Sequence, residues 1–242
     1  MVLKLKNLLN YIKKPWFIDT YSKLAHSFSK YYHYLSFKYR EEFEQNREIY
    51  ESRKRRVYDA VFMRRIPDRV PVGGGGINFF AAKYSGISIK DYMYDYKKMK
   101  AATIKMNSAF DLDVTFPTFM FAMARFMTAT QANLIKIPGR ELQDNASYQY
   151  NEFERLKQEE YPILLKQGMD FFMAEIAPRI SNVLNMKFSK RFAYYTRVLL
   201  ETLKYTQVIM DLTVEFKAKG FFSPISSFSF PPMDLMSFVL EQ

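Results

Sequence analysis

The thirteen-residue stretch Arg64–Gly76, RRIPDRVPVGGGG, limits this chain's fold more than any other. Pro67 fixes its own φ and pushes Ile66 away from helical backbone, so a preceding helix must stop there. Val70 and Val72 are β-branched and favour extended backbone, while Pro71 between them cannot donate to a ladder. The stretch therefore predicts a charged turn, then a short buried strand over Arg69–Val72 at a sheet edge or strand start. The glycines Gly73, Gly74, Gly75 and Gly76 then leave the strand's exit without side chains. In parallel α/β folds, ligands bind at strand exits.

The segments that follow alternate in type. Ile77–Ala82 starts a short helix. Lys97–Phe110 carries apolar residues at 99, 102, 106, 109 and 110, the spacing of an amphipathic helix. Leu112–Pro117 reads as a strand, with Asp111 and Asp113 on one face of it. Strand, helix, helix, strand predicts a parallel sheet and the α/β class. Further on, Pro138–Arg140 marks a turn, and 144–150 a polar loop. Tyr161–Pro162 opens a helix, and 188–218 holds one or two more. Gly220 stops the last of these, and Phe221–Phe230 gives a third strand. Asp234 caps a helix that runs toward Gln242 with no stop signal.

Arg53–Val72, RKRRVYDAVFMRRIPDRVPV, resembles the opening of the uroporphyrinogen decarboxylase superfamily. Further segments resemble that family in the same order. They are Tyr84-Ser85-Gly86, the helix over Asp91–Ala109, Phe110-Asp111-Leu112-Asp113, and Pro232 followed by Asp234-Leu235. The resemblance covers residues 53–242 and implies a (β/α)8 barrel. About three strands are present, and such a barrel takes roughly 250 residues. The chain is thus expected to be the N-terminal part of a longer barrel protein, inactive and poorly folding by itself. Residues 1–52 form a helical basic extension before it.

The superfamily's decarboxylases act on tetrapyrroles, and its corrinoid-linked methyltransferases act on methylcobalamin. In the decarboxylases, two arginines after the first strand hold propionates. Here that loop is Gly73–Phe80 and holds no arginine, which glycine cannot replace as a carboxylate fork. The resemblance is therefore closer to the methyltransferase branch, implying methyl transfer between a corrinoid and a thiol. One alternative is uroporphyrinogen decarboxylation. Another is a non-catalytic tetrapyrrole- or corrinoid-binding module. The implied partner is a corrinoid protein or a tetrapyrrole. Zinc, held in that branch by histidine and cysteines in the second half, is implied for the full-length protein and not for this chain.

By the same resemblance, Asp113 is the expected catalytic acid, because a carboxylate accepting pyrrole N–H groups stabilises positive charge on the ring. Gly73–Gly76, Asn78, Ser226, Ser227 and Ser229 are expected to line the ligand mouth with it.

Composition bears on partners. The net charge of +11 suits anionic ligands or surfaces, and equally a lysine-rich solvated exterior. The densest cationic run, Arg53–Arg56 with Arg64 and Arg65, has no base-stacking or groove-reading motif around it, so nucleic acid is not expected. There is no cysteine, hence no disulfide and no thiolate metal site within the chain. No run of eighteen apolar residues predicts a membrane span. A reducing cytoplasm is the expected location. His26 and His33, two helical turns apart, have no nearby carboxylate and make a poor metal site. Leu5, Leu8, Leu9 and Ile12 share one helical face among lysines. That pattern fits a helix docked on the domain's own surface, or one lying on a membrane.

Overall fold

The computed structural model describes residues 15–74, 79–115 and 124–223. The N-terminal leucine face, Gly75, Gly76, Asn78, Ser226, Ser227 and Ser229 lie outside the described residues.

Two long helices come first, α1 (Pro15–Lys38) and α2 (Arg40–Val61). Glu41 and Glu42 sit in the first turn of α2, where carboxylates oppose the helix dipole. The chain leaves α2 through Met63, a non-glycine residue in the left-handed region at φ 49°. Residues 66–72 are non-helical, as Pro67 and Pro71 demand, with a bend at Asp68–Arg69, and they are not a buried strand. Val70 is 81% exposed and Val72 44%. The first strand, β1, instead occupies Gly73–Gly74. Valine propensity is overridden because the neighbouring chain fixes the register: Val72 O accepts from the N–H groups of both Asp113 (2.8 Å) and Val114 (3.2 Å).

Three short helices follow, α3 (Phe80–Ser85), α4 (Ile89–Tyr94) and α5 (Tyr96–Ser108). Ser88 Oγ caps α4 by accepting from Asp91 N at 2.9 Å. Asp95 caps α5 by accepting from Lys97 N and Lys98 N. On α5, Met99, Ala102, Thr103, Met106 and Asn107 are all buried, as the spacing at 99, 102 and 106 predicts, whereas Ala109 and Phe110 lie past the helix and are exposed.

The second strand, β2 (Val114–Thr115), pairs in parallel with β1, with Gly73 opposite Val114 and Gly74 opposite Thr115. Phe222 then bridges Val114, also in parallel. Three extended segments thus lie side by side in chain order, with helices in every connection, as the α/β alternation predicts. The described residues are mostly helical and close no barrel. The third segment is a single bridge within them, and its expected continuation past Ser223 lies outside.

A short helix, α6 (Ala124–Thr130), leads to an element absent from the expectation. β3 (Ile135–Lys136) pairs antiparallel with β4 (Gln149–Tyr150), where a polar loop was expected. After α7 (Tyr161–Gln167), α8 (Met169–Phe171) runs through a π-helical segment, Phe172–Ile176, into α9 (Ala177–Ile180). Pro178 has no N–H to continue the regular ladder, which accounts for the widened turn before it. Residues 188–218 form one 31-residue helix, α10 (Phe188–Ala218).

Helix α10 ends in a Schellman motif. Phe221 N donates to Phe216 O (2.9 Å) and Gly220 N to Lys217 O (3.0 Å), with Gly220 at φ 77°. The rings of Phe216 and Phe221 meet at 6.0 Å, the apolar contact that accompanies such a stop. A Cβ on Gly220 would stand 3.1 Å from Ile49 Cγ2 on α2. Gly220→Ala is therefore expected to cost about 1–2 kcal/mol from the left-handed backbone alone. A urea melt checks this; an unchanged midpoint would show that the turn relaxes freely.

Candidate functional site at the strand exits

The two ends of the three-segment sheet differ in kind. At the strand starts, Asp113 is wholly buried and ringed by donors. Arg56 Nη1 donates to Asp113 Oδ1, Arg69 Nη2 donates to the same oxygen at 2.9 Å, and Val72 N donates to Oδ2 at 2.9 Å. Arg56 also forks onto Asp68 at 2.6 and 2.7 Å. Asp111 accepts from Arg69 and, at 3.2 Å, from Arg53, whose Nη1 reaches Gly220 O at 3.1 Å. The arginine-rich end of α2 thus ties together the starts of all three extended segments.

This corrects the placement expected for Asp113. It stands before β2, not past it, and both its oxygens are engaged by the protein's own donors. The geometry makes it a structural anchor and leaves no acceptor position for a substrate N–H at the exit. The parity argument from the strand was sound; the end of the strand at which the residue falls could not be read from it. The same contacts turn Arg53 and Arg56 inward, away from any external polyanion.

The clasp is also a pH device. Burial alone would raise the Asp113 carboxyl, but the Val72 N–H, Arg69 and Arg56 outweigh it and hold it below the usual range. Asp68 is lowered to about 2, first by the hydrogen bond from Arg56. Asp111 is lowered by Arg69 and then Arg53. Away from the clasp, the fork of Arg179 on Glu160 (2.6 and 2.7 Å) lowers that carboxyl to about 2. Each group binds fewer protons folded than unfolded, so its contribution is complete above the unfolded pKa and is lost as pH falls through the folded one. Stability is expected to be level above about pH 5 and to fall toward pH 2. Melting midpoints across that range test this; a protein equally stable at both ends would contradict it.

At the strand exits the last described residues are Gly74, Thr115 and Ser223, side by side across the sheet. Thr115 faces α5, donating from Oγ1 to Asn107 Oδ1 at 2.7 Å, while Asn107 Nδ2 donates to Thr103 O at 2.8 Å. Thr103 Oγ1 lies 3.1 Å from Tyr92 Oη, so a polar chain runs through the core behind β2. A Cβ on Gly74 would meet the Leu112 side chain at 3.0 Å, also on the helical side. Gly73 is different: among the described residues nothing stands within 4 Å of where its Cβ would be. Ser223 Oγ is buried and has no hydrogen-bond partner among the described residues. Among the described residues, the exit end therefore offers one unmet hydroxyl in the row and an open backbone position just before it.

Of the expected site residues, Gly74 is brought to this row, opposite Thr115, and Gly73 stands one position before it, opposite Val114. Thr115 and Ser223 were missed. The signal for Thr115 was its phase with Asp113, two residues along the same strand; for Ser223 it was its position three residues past the Gly220 stop.

Two other polar clusters are internally satisfied. Glu201 on α10 accepts from Arg125 at 2.8 Å and from Tyr96 Oη at 3.4 Å; burial and then Glu201 push the Tyr96 hydroxyl up to about 12. The Tyr39 hydroxyl lies 2.8 Å from Glu215 Oε2 and 3.0 Å from Asp211 Oδ1, and those two carboxylates also hold Lys100, pinning the α1–α2 junction to α10 and α5. Among the described residues no group of three histidine, aspartate or glutamate side chains is placed to hold a metal ion. No helix among them is long and apolar enough to cross a membrane. Compared with family models, curated proteins and solved structures, the chain has no match.

Proposed function

We propose that the chain belongs to a corrinoid-linked methyl-transfer protein of the uroporphyrinogen decarboxylase type. In this reading it is built as a (β/α)8 barrel and binds a corrinoid at its strand exits. The observation that carries the reading is the parallel pairing of β1, β2 and Phe222 in chain order, with glycine where the first strand exits. Glycine there lets a large flat ring approach the backbone. A corrinoid supplies a methyl group on cobalt for transfer to a thiolate. Among the described residues, Gly73 has open space where a Cβ would stand and Ser223 an unmet buried hydroxyl; both fit the edge of such a ring and would line its approach. Zinc does not fit: the chain has no cysteine, and the described residues assemble no ligand set. This chain's part is then to bind and orient the corrinoid.

The methyltransferase branch is favoured over the decarboxylase because Arg53, Arg56 and Arg69 all serve the strand-start clasp. None of these three arginines is at the exit to hold propionates. The test is an absorbance titration of the chain with hydroxocobalamin and, separately, uroporphyrin. High salt suppresses nonspecific attraction of the polyanionic porphyrin to a chain of net charge +11. Saturable binding of hydroxocobalamin, with little of uroporphyrin, is expected. Tight uroporphyrin binding that hydroxocobalamin does not compete away would return the decarboxylase reading. Binding of neither would remove the ligand assignment.

A further inference from the structure

Helix α1 has two faces of different use. On one, Leu35 is fully buried and Tyr39 is tied into the Lys100–Asp211–Glu215 network on α5 and α10. That face packs on the domain; the docked helix expected over Leu5–Ile12 lies outside the described residues. The opposite face is not needed for docking. Lys23, His26, Lys30, His33 and Phe37 recur at three- and four-residue spacing, which sets them in one line along the helix. All five are exposed; Phe37 is 76% exposed, and Tyr34 beside it 60%. Among the described residues one ion pair touches the line, Lys23 with Asp19 at 2.7 Å, and both partners are in water where such a pair contributes little.

The charge is concentrated in the same part of the chain. Residues 1–39 hold seven lysines and one acid, Asp19, a net of +6 within the chain's +11. From this face we infer that α1 docks the protein on an anionic lipid surface. Lysines alternating with aromatic rings on one helical line suit the headgroup region, where the ammonium groups meet lipid phosphate and carboxylate and the rings sit at the interface. The preceding sequence is of the same kind, with Leu5, Leu8, Leu9 and Ile12 among Lys4, Lys6, Lys13 and Lys14. A second copy of the chain is a poor occupant, since two such lines repel each other. The strand exits play no part in this contact, so the inference is independent of the corrinoid reading.

The test is flotation of the intact chain with vesicles of phosphatidylcholine alone or with about one-third phosphatidylserine. Binding is expected only to the anionic vesicles, and to fade as salt rises. Each lysine near such a surface is worth about fivefold in partition, so Lys23→Glu with Lys30→Glu should lower binding by at least about twentyfold. Lys97→Glu with Lys105→Glu on α5 changes the net charge equally and should leave binding near that of the wild type. Circular dichroism establishes that both variants keep their helix content. If the intact chain ignores anionic vesicles, or both pairs lose binding alike, the inference is overturned. Retention on single-stranded RNA without vesicle binding would overturn it too, making the partner a nucleic acid.

Discussion

Asp113→Ala is expected to destabilise the protein by about 3 kcal/mol, the order of loss when one partner of a buried ion pair is removed. The substitution takes from Arg56, which is nearly buried, one of its two carboxylate partners, takes from Arg69 one of its two, and leaves the Val72 N–H without its acceptor. For a chain of 242 residues the melting midpoint should fall by roughly 6–12 °C. Asp113→Asn keeps an oxygen for Val72 N while losing the charge, so it should fall between the alanine variant and the wild type. If Asp113→Ala melts like the wild type, the clasp does not organise the strand starts.

Phe216→Ala should cost about 3–5 kcal/mol, the range for emptying a buried aromatic site. Phe216 is fully enclosed with Leu112, Leu212 and Phe221. It belongs at once to the last turn of α10 and to the layer against β2. Its loss empties the space between helix and sheet and removes the apolar partner of the Gly220 stop. Phe216→Leu keeps much of that volume and should recover more than half of the loss. Denaturant melts of the two variants decide; equal midpoints for alanine and leucine would mean that the site collapses without cost.

Much of the parallel unit could be read from residues alone. The stop at Pro67, the apolar line of α5 and the glycine after α10 are local signals, fixed by φ limits and helical spacing. What escaped reading depended on partners distant in sequence. β1 lies in two glycines of low strand propensity because Val72 and Asp113 set the register with β2. β3 and β4 are two residues each and largely polar, so no alternation marks them. Asp113 falls one residue before β2 and not on it, and its role depends on which end of the strand meets the arginines of α2. That choice is made 57 residues away in sequence, at Arg56. The exit row was half legible: glycine announces an open backbone, whereas the unmet hydroxyl of Ser223 becomes visible only once its surroundings are known.

The division of the sheet into a structural start and a ligand-binding exit is tested most directly by one hydroxocobalamin titration on two variants. Gly73→Leu fills the space that is open over that residue and should melt like the wild type while losing at least about tenfold in affinity. Asp113→Asn should melt lower and, below its midpoint, bind hydroxocobalamin as the wild type does. The opposite pattern would contradict the account: undiminished binding by Gly73→Leu, with binding lost in a well-folded Asp113→Asn.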